Sequence, residues 1–446
     1  MSITATTATD HHAVYHAKLT DAVTAVQAVA SGSSVAIGQA ACQPRGLLQA
    51  LADRARRAEI DRVRLFYFHA EKPMADTVLH YDLMGRFLPH SMFLQPAERD
   101  LIRHGERDGR KVVYFIPTSF SQSVRVFAES IPVDTCLVTV SPMDEHGYFT
   151  FGTNNDYTSS VARQARALIV EVNPNMPRVF GASTLHVSEV AAITENDVAL
   201  PELPQRPITE LDRAIGGHVA ALVPDRACVQ IGVGGLPQAV CEALRDRTDL
   251  GIHSEVFTPA LADLVACGVA TGRYKSINRG KAVFTFAMGD RGLYDFMNDN
   301  VALESHPVNY VNDPTVIARN DNAVSINSTV EMDLTGACNS EHVNGHQYSA
   351  AGGQLDFVRG AYASRGGISV IAFASTTRRQ TISKVVPRLS GPVTTPRTDT
   401  HYVATEYGAV NLKGLSSSQR AEALIGLAHP DYRDWLTDHA RQMHLI

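Results

Sequence analysis

The sequence has no excess of positive charge: 40 Lys and Arg stand against 46 Asp and Glu, a net charge of −6 over 446 residues. Phosphate backbones are held by basic excess or basic stripes, so a nucleic-acid partner is not expected. No apolar run reaches the roughly 18 residues that a membrane helix needs, so a membrane span is not expected either. Residues 1–10 are rich in Thr and Ala and have neither the basic start nor the apolar core of a secretory signal. The six cysteines (Cys42, Cys136, Cys228, Cys241, Cys267, Cys338) include no C-x-x-C pair. That spacing suits reduced, mostly buried thiols and argues against a disulfide scaffold or a thiolate zinc cluster. These absences leave a cytoplasmic enzyme of α/β type, long enough for two or three domains.

The chain contains an internal repeat. LTDAVTAVQAVASGSSVAIGQAACQPRGLLQALADRA, from Leu19, matches LDRAIGGHVAALVPDRACVQIGVGGLPQAVCEALRDR, from Leu211. Each begins as an amphipathic helix and breaks at Ser31-Gly32 or Pro224-Asp225. Each then runs through a short strand (35–37, 229–231) to a glycine, a loop with Pro44 or Pro237, and a second helix. The next strands also correspond: VRLFYFHAE ends at Glu71, and LGIHSEVF passes through Glu255. Two ordered matches about 190 residues apart read as a duplicated unit, although α/β segments share this rhythm in general. Strand–helix alternation implies open, mainly parallel sheets. Further short apolar runs at 111–117, 135–142, 167–174 and 368–373 fit strands buried on both faces. The segment 194–207 holds Pro201, Pro204 and Pro207 with little periodicity, which places a linker there between domains 1–200 and 208–446. The final stretch, GLAHPDYRDWLTDHARQMHL, reads as an amphipathic helix closing the second domain.

Open α/β sheets collect ligands at the carboxyl ends of their strands. Gly232-Val233-Gly234-Gly235-Leu236-Pro237 occupies such a place. It is not the dinucleotide fingerprint, because its sixth residue is Pro237, so a NAD enzyme is disfavoured. Its glycines would let backbone amides approach an anion or an oxyanion at a helix start; the alternative is a plain tight turn. Glu255 interrupts an apolar strand, where an unpaired carboxylate is costly. With an ordinary pKa near 4.3 it would be ionised, and could attack an activated carbonyl without a partner base. The alternative is a strand-end salt bridge. Gly352-Gly353 again suggests backbone donors, or only a turn; Ser375-Thr376-Thr377-Arg378-Arg379 with Lys384 would bind phosphates or simply be solvated. Thr405-Glu406-Tyr407-Gly408 lies between a strand-like run and a turn. His342 and His346 are four apart, but Asn344 and Gly345 spoil a helix there and the order is not H-E-x-x-H, so no metal is expected. His11, His12 and His16 are expected to be solvated in a ragged N-terminus.

GVGGLP, HSEVF, MDLTGACNSEHVNGHQYSAAGGQLDFVRGA and TEYGAVNLKG, in this order, resemble the acetyl-CoA hydrolase/transferase family, in the branch that includes 4-hydroxybutyrate CoA-transferase. VSPMDEHGYFTFGTNNDYT and EVNPNMPRVFGAS in the first half are similar to the same family, so the resemblance spans nearly the whole chain. It implies an α/β fold of two similar open, mainly parallel-sheet domains of the CoA-transferase type, with the site in the cleft between them. It also implies that Glu255 is the nucleophile that comes to carry CoA as a γ-glutamyl thioester, and that residues Gly232, Val233, Gly234, Gly235, Leu236, Gly352 and Gly353 lie against CoA. Val233 and Gly353 would be the backbone donors to the oxyanion. Arg378 and Arg379 fall near a CoA-binding position where the family often has lysine. Glu406 matches a second active-site acid that would position the acceptor carboxylate. Glu71 is read as facing the acyl group from the first domain, with an unpaired structural glutamate as the alternative.

The resemblance further implies acyl-CoA and a short-chain carboxylate as substrates: 4-hydroxybutyrate, butyrate or a small dicarboxylate such as itaconate. No metal or redox cofactor is required, and a homodimer or homotetramer is expected. Acyl-CoA hydrolysis through the same glutamate is the competing activity. A CoA-binding regulator with a dead site fits poorly, because Glu255 is present.

Overall fold

The computed structural model describes residues 10–446; the expectation for residues 1–9 lies outside them. The first half forms β1 (Ser34–Ile37), β2 (Val63–Tyr67), β3 (Phe87–Ser91), β4 (Tyr114–Phe115), β5 (Thr135–Val140), β6 (Ala167–Val172), β7 (Phe180–Gly181) and β8 (Ala192–Glu195). The second half forms β9 (Cys228–Ile231), β10 (Gly251–Phe257), β11 (Ala282–Ala287), β12 (Leu303–Ser305), β13 (Ala323–Asn327), β14 (Ile368–Ala372), β15 (Tyr402–Thr405) and β16 (Gly408–Asn411). The first sheet has seven strands in the order β8-β6-β5-β1-β2-β3-β4, and the second has nine in the order β16-β15-β14-β13-β9-β10-β11-β12-β7. Every pair in both is parallel except the β15–β16 hairpin. The repeat is therefore visible as one sheet order used twice, with β1 and β9 in matching central places.

Strands buried on both faces need helices or another sheet over each. On one face of the first sheet, Val35, Leu65 and Leu137 pack with Leu47 and Leu51 of α2 (Arg45–Arg56) and Leu101 of α3 (Pro96–Arg107). On the other, Ala36, Phe66 and Val138 belong to a core that continues through Val229, Ile252 and Val256 of the second sheet. The opposite face of that second sheet carries Glu255. It is covered by short helices and by Phe357 and Ala361 of a longer one.

Some boundaries differ from the sequence reading. Only Tyr114–Phe115 of the 111–117 run pairs as a strand, at the end of the sheet. The terminal helix is two, Ser417–Leu427 and Pro430–Gln442, because Pro430 cannot extend a helix and instead opens a new one behind His429. The N-terminus is not ragged over His11–Lys18: this stretch is a helix, α1, capped by Asp10, and His11 packs edge-on to His186 with ring centroids 5.1 Å apart. His12 and His16 are exposed as expected. Five of the six cysteines are buried, Cys267 being exposed, and none is bonded to another.

The two halves are stitched through backbone. Strand β7, from the first half, is the last strand of the second sheet, with Gly181 opposite Ser305. Gly181 has φ +98°, and a Cβ there would run into the Ser305 backbone, so this close approach needs glycine. Nearby, the N–H groups of Asn155 and Asp156 donate to the Thr285 carbonyl, both at 3.0 Å. The buried Asn155 amide donates to the Ala182 and Ser305 carbonyls, both at 2.9 Å. Asn155→Ala would take a donor from the buried Ser305 carbonyl and from the more exposed Ala182 carbonyl, a cost of about 1–3 kcal/mol. A thermal or urea unfolding experiment should show that loss, with the fold retained at room temperature.

Candidate active site

The glycine loop leaves β9 at Ile231 and enters α5, which spans Gly235–Ala243 if Glu210–Ala220 is counted as α4. Gly234, the residue before the helix, has φ +130°, a conformation open to glycine. Val233 points outward and is about half exposed. Its N–H has no acceptor among the described residues. The loop borders a cavity of about 220 Å³ that is closed by Thr258, Pro259, Met288 and the segment from Leu203 to Arg206. The segment expected only to link the domains thus forms a wall of this cavity.

Glu255 lies within β10, beside the end of β9. Ser254 joins the two strands there, its hydroxyl donating to the Ile231 carbonyl at 3.2 Å. Glu255 makes no ion pair among the described residues, which removes the strand-end salt bridge as an explanation. Its partners are neutral. The Asn312 amide donates to Oε2 at 2.5 Å, and the Gly353 N–H also favours the charged form. Asn312 caps α6 (Val308–Val311), which is followed by α7 (Pro314–Ile317). A Cβ on Gly353 would overlap both Glu255 Oε2 and Asn312 Nδ2, so this glycine is required by proximity. Burial pushes the Glu255 carboxyl up to about 7, against the opposing Asn312 and Gly353 bonds and with a further push from the Asp356 charge. The ordinary carboxylate pKa assumed from sequence is therefore replaced by a raised one.

The first half supplies a wall beside this carboxylate. Phe120 N–H donates to the Gly352 carbonyl at 3.0 Å. Ser121 donates through Oγ and N–H to Asp356 at 2.9 and 3.2 Å, Asp356 being in the first turn of α8 (Gln354–Ala363). Arg99 stacks on the Tyr348 ring at 4.1 Å and donates to its carbonyl at 2.8 Å. Glu255, Gly352 and Gly353 are thus brought together at a seam between the halves.

The other residues singled out by sequence do not bond to Glu255. Glu406 accepts from the Ser375 N–H and hydroxyl at 2.9 and 2.6 Å, with the Lys384 ammonium nearby. Burial lowers the pKa of Lys384, opposed by the Glu406 charge. Arg378 and Arg379 are exposed on the loop closed by the Thr376–Ser383 bridge. Glu71 does not echo Glu255 structurally: β2 ends at Tyr67, so Glu71 follows the strand and precedes a short helix. It is half-buried, its carboxyl is pushed up to about 7 by burial, and its charge reaches Tyr294 of the second half. His342 and His346 lie on the two strands of a small hairpin; His342 bonds Gln347 at 2.7 Å. Asn312, which bonds Glu255, and Asp356, whose charge reaches it, are residues to which the sequence reading gives no role.

The sequence matches the acetyl-CoA hydrolase/transferase N-terminal domain over residues 4–202 and the C-terminal domain of the same name over residues 289–440. It is 41% identical to succinyl-CoA:cyclohexane-1-carboxylate CoA transferase from Geobacter metallireducens, over 97% of each chain. It is 38% identical to 4-hydroxybutyrate coenzyme A transferase from Clostridium kluyveri, over 96% of this chain and 98% of that one. Among solved structures, RipA from Yersinia pestis superposes with a TM-score of 0.96 at 56% identity, covering 98% of this chain and 100% of that one.

Three outcomes follow from this geometry. An activity that needs the ionised form of Glu255 should show kcat/KM falling below an inflection at about pH 7. Asn312→Ala, which removes a bond favouring the charged form, should move that inflection upward; a pH–rate series checks both. Gly353→Ala should lower kcat by about 100-fold or more by displacing the carboxylate, while unfolding shows a folded protein.

Proposed function

The chain belongs to the acetyl-CoA hydrolase/transferase family, and from that premise we propose that it moves coenzyme A from an acyl-CoA to a short-chain carboxylate through a covalent γ-glutamyl-CoA thioester on Glu255. The observation that carries this reading is a half-buried carboxylate held by an amide and a glycine N–H, with no counter-charge among the described residues, beside a glycine loop. Such a group is costly unless it has work to do, and a carboxylate free of cations is the better nucleophile.

In this reading the ionised Glu255 oxygen attacks the thioester carbonyl, the C–S bond breaks, and an acyl-glutamyl anhydride and CoA thiolate result. The thiolate then attacks the glutamyl carbonyl, releasing the first carboxylate and leaving CoA on the side chain. An incoming carboxylate reverses the two steps, so the thioester bond energy is retained. Each tetrahedral intermediate puts charge on oxygen, where the N–H groups of Val233 and Gly353 contribute as preorganised donors, worth a few kcal/mol each (~3). Residues 232–236, Gly352, Arg378 and Arg379 hold CoA; Glu406, oriented by Ser375, positions the acceptor; Glu71 borders the acyl group. The acceptor class is a C4–C5 acid such as 4-hydroxybutyrate, butyrate or itaconate. Domains 1–200 and 208–446, a homodimer or homotetramer, and a cytoplasmic setting belong to the same reading. Hydrolysis is the competing outcome, and differs only in letting water replace the acceptor acid.

Incubation with acyl-CoA without acceptor, borohydride reduction and peptide mapping should place the modification on Glu255. Glu255→Ala should lose at least about a thousandfold in kcat. A label on another residue, or full turnover by this variant, overturns the mechanism. Turnover independent of added carboxylate assigns the protein as a hydrolase instead.

A further inference from the structure

Behind the nucleophile, on the same face of β10, His253 is buried at 3% exposure. Its Nε2 lies 2.8 Å from the Val311 carbonyl, which can only accept, so Nε2 carries the proton and Nδ1 is an acceptor. Nδ1 has no partner among the described residues. Nearby, Asn320 Oδ1 accepts from the Ile277 N–H at 3.3 Å, which fixes Nδ2 as the outward donor, and this donor is also unpartnered. The Ser325 hydroxyl is the third unpartnered group.

All three line one internal cavity of about 10 Å³, the room available to the centre of a water-sized sphere. Phe357 and Ile317 close it from the helices above, and no lining residue is more than 5% exposed. That volume is about what one water needs, and buried waters typically make three hydrogen bonds. The demands match: a water can donate to His253 Nδ1, accept from Asn320 Nδ2 and exchange a bond with Ser325 Oγ. Val311 is the last residue of α6, and the next residue, Asn312, holds Glu255.

We propose that the cavity binds one ordered water and that His253, held by it as the Nε2–H tautomer, is a positioning residue that fixes the end of α6 and so aims the Asn312 amide at Glu255. This rests on the reading of Glu255 as nucleophile. The ring stays neutral: burial first, then the facing Lys275 ammonium and His306, oppose a second proton, outweighing the Val311 bond. Lys275 is itself held by the Ile252 and Lys281 carbonyls, both at 2.8 Å, and so keeps its place over this end of the sheet.

The test combines two kinetic variants with one measurement on the wild-type chain. His253→Leu removes the donor to Val311, whereas His253→Gln keeps an amide donor at that reach. His253→Leu should lower kcat about tenfold or more with KM changed less than about twofold, and His253→Gln should regain most of the loss. Long-range proton–nitrogen NMR on histidine-labelled wild-type protein should show His253 protonated on Nε2 alone. A kcat for folded His253→Leu within about twofold of wild type, no rescue by His253→Gln, or a proton on Nδ1 overturns the proposal. Should His253→Leu fail to fold, the wild-type tautomer decides. Glu255→Ala separates the two levels: if it stays active the nucleophile reading falls, whereas an inactive Glu255→Ala beside an unimpaired His253→Leu removes only the positioning role.

Discussion

A carboxylate taken partly out of water without a cation beside it constrains everything near it. An arginine or lysine within about 4–6 Å would offset the desolvation of Glu255, but would also lower its pKa by about 1–3 units and occupy its lone pairs. The protein instead offers dipoles: one side-chain amide and one backbone N–H. Dipoles stabilise the charge only when they are aimed, and aiming requires that their own backbones be fixed. The pieces around Glu255 accordingly meet it at their ends. Asn312 ends a four-residue helix, Gly353 precedes α8, and Gly352 is tied to Phe120 of the first half.

That last tie shows why two sheets are needed. The second sheet carries the carboxylate and the glycine loop, whereas the first supplies a wall through residues 119–121 and, further off, the Glu71 carboxyl against Tyr294. The halves are held in register elsewhere, by the Asn155 and Asp156 N–H groups on the Thr285 carbonyl and by β7. Holding the seam through backbone at one place lets side chains define the cleft at another.

The features legible in sequence were those made by neighbours along the chain. Strand, glycine loop and helix appear in order from Val229 to Ala243, and the repeat pointed to two similar, mainly parallel sheets. Glu255 stood out because a charge in an apolar strand violates a local pattern. Asn312 carries no such mark: it lies 57 positions further along the chain, and only the packing of α6 on β10 brings the two together. The pairing of VRLFYFHAE with LGIHSEVF is looser in three dimensions than in letters, since Glu71 falls after one strand and Glu255 inside the other. The proline-rich segment after residue 200 was legible as irregular, but its wall beside the glycine loop depends on tertiary packing.

Strand β7 belongs to the first half by chain order and to the second sheet by pairing. During synthesis its partner β12 emerges roughly 120 residues later, which takes roughly 6–24 s at about 5–20 residues per second. The nascent first half therefore spends that interval with the Phe180–Gly181 backbone unpaired and with Asn155 lacking the Ser305 carbonyl it will later grip. Co-translational maturation of this chain cannot finish one half at a time: the earlier half becomes complete only when the later one closes over it.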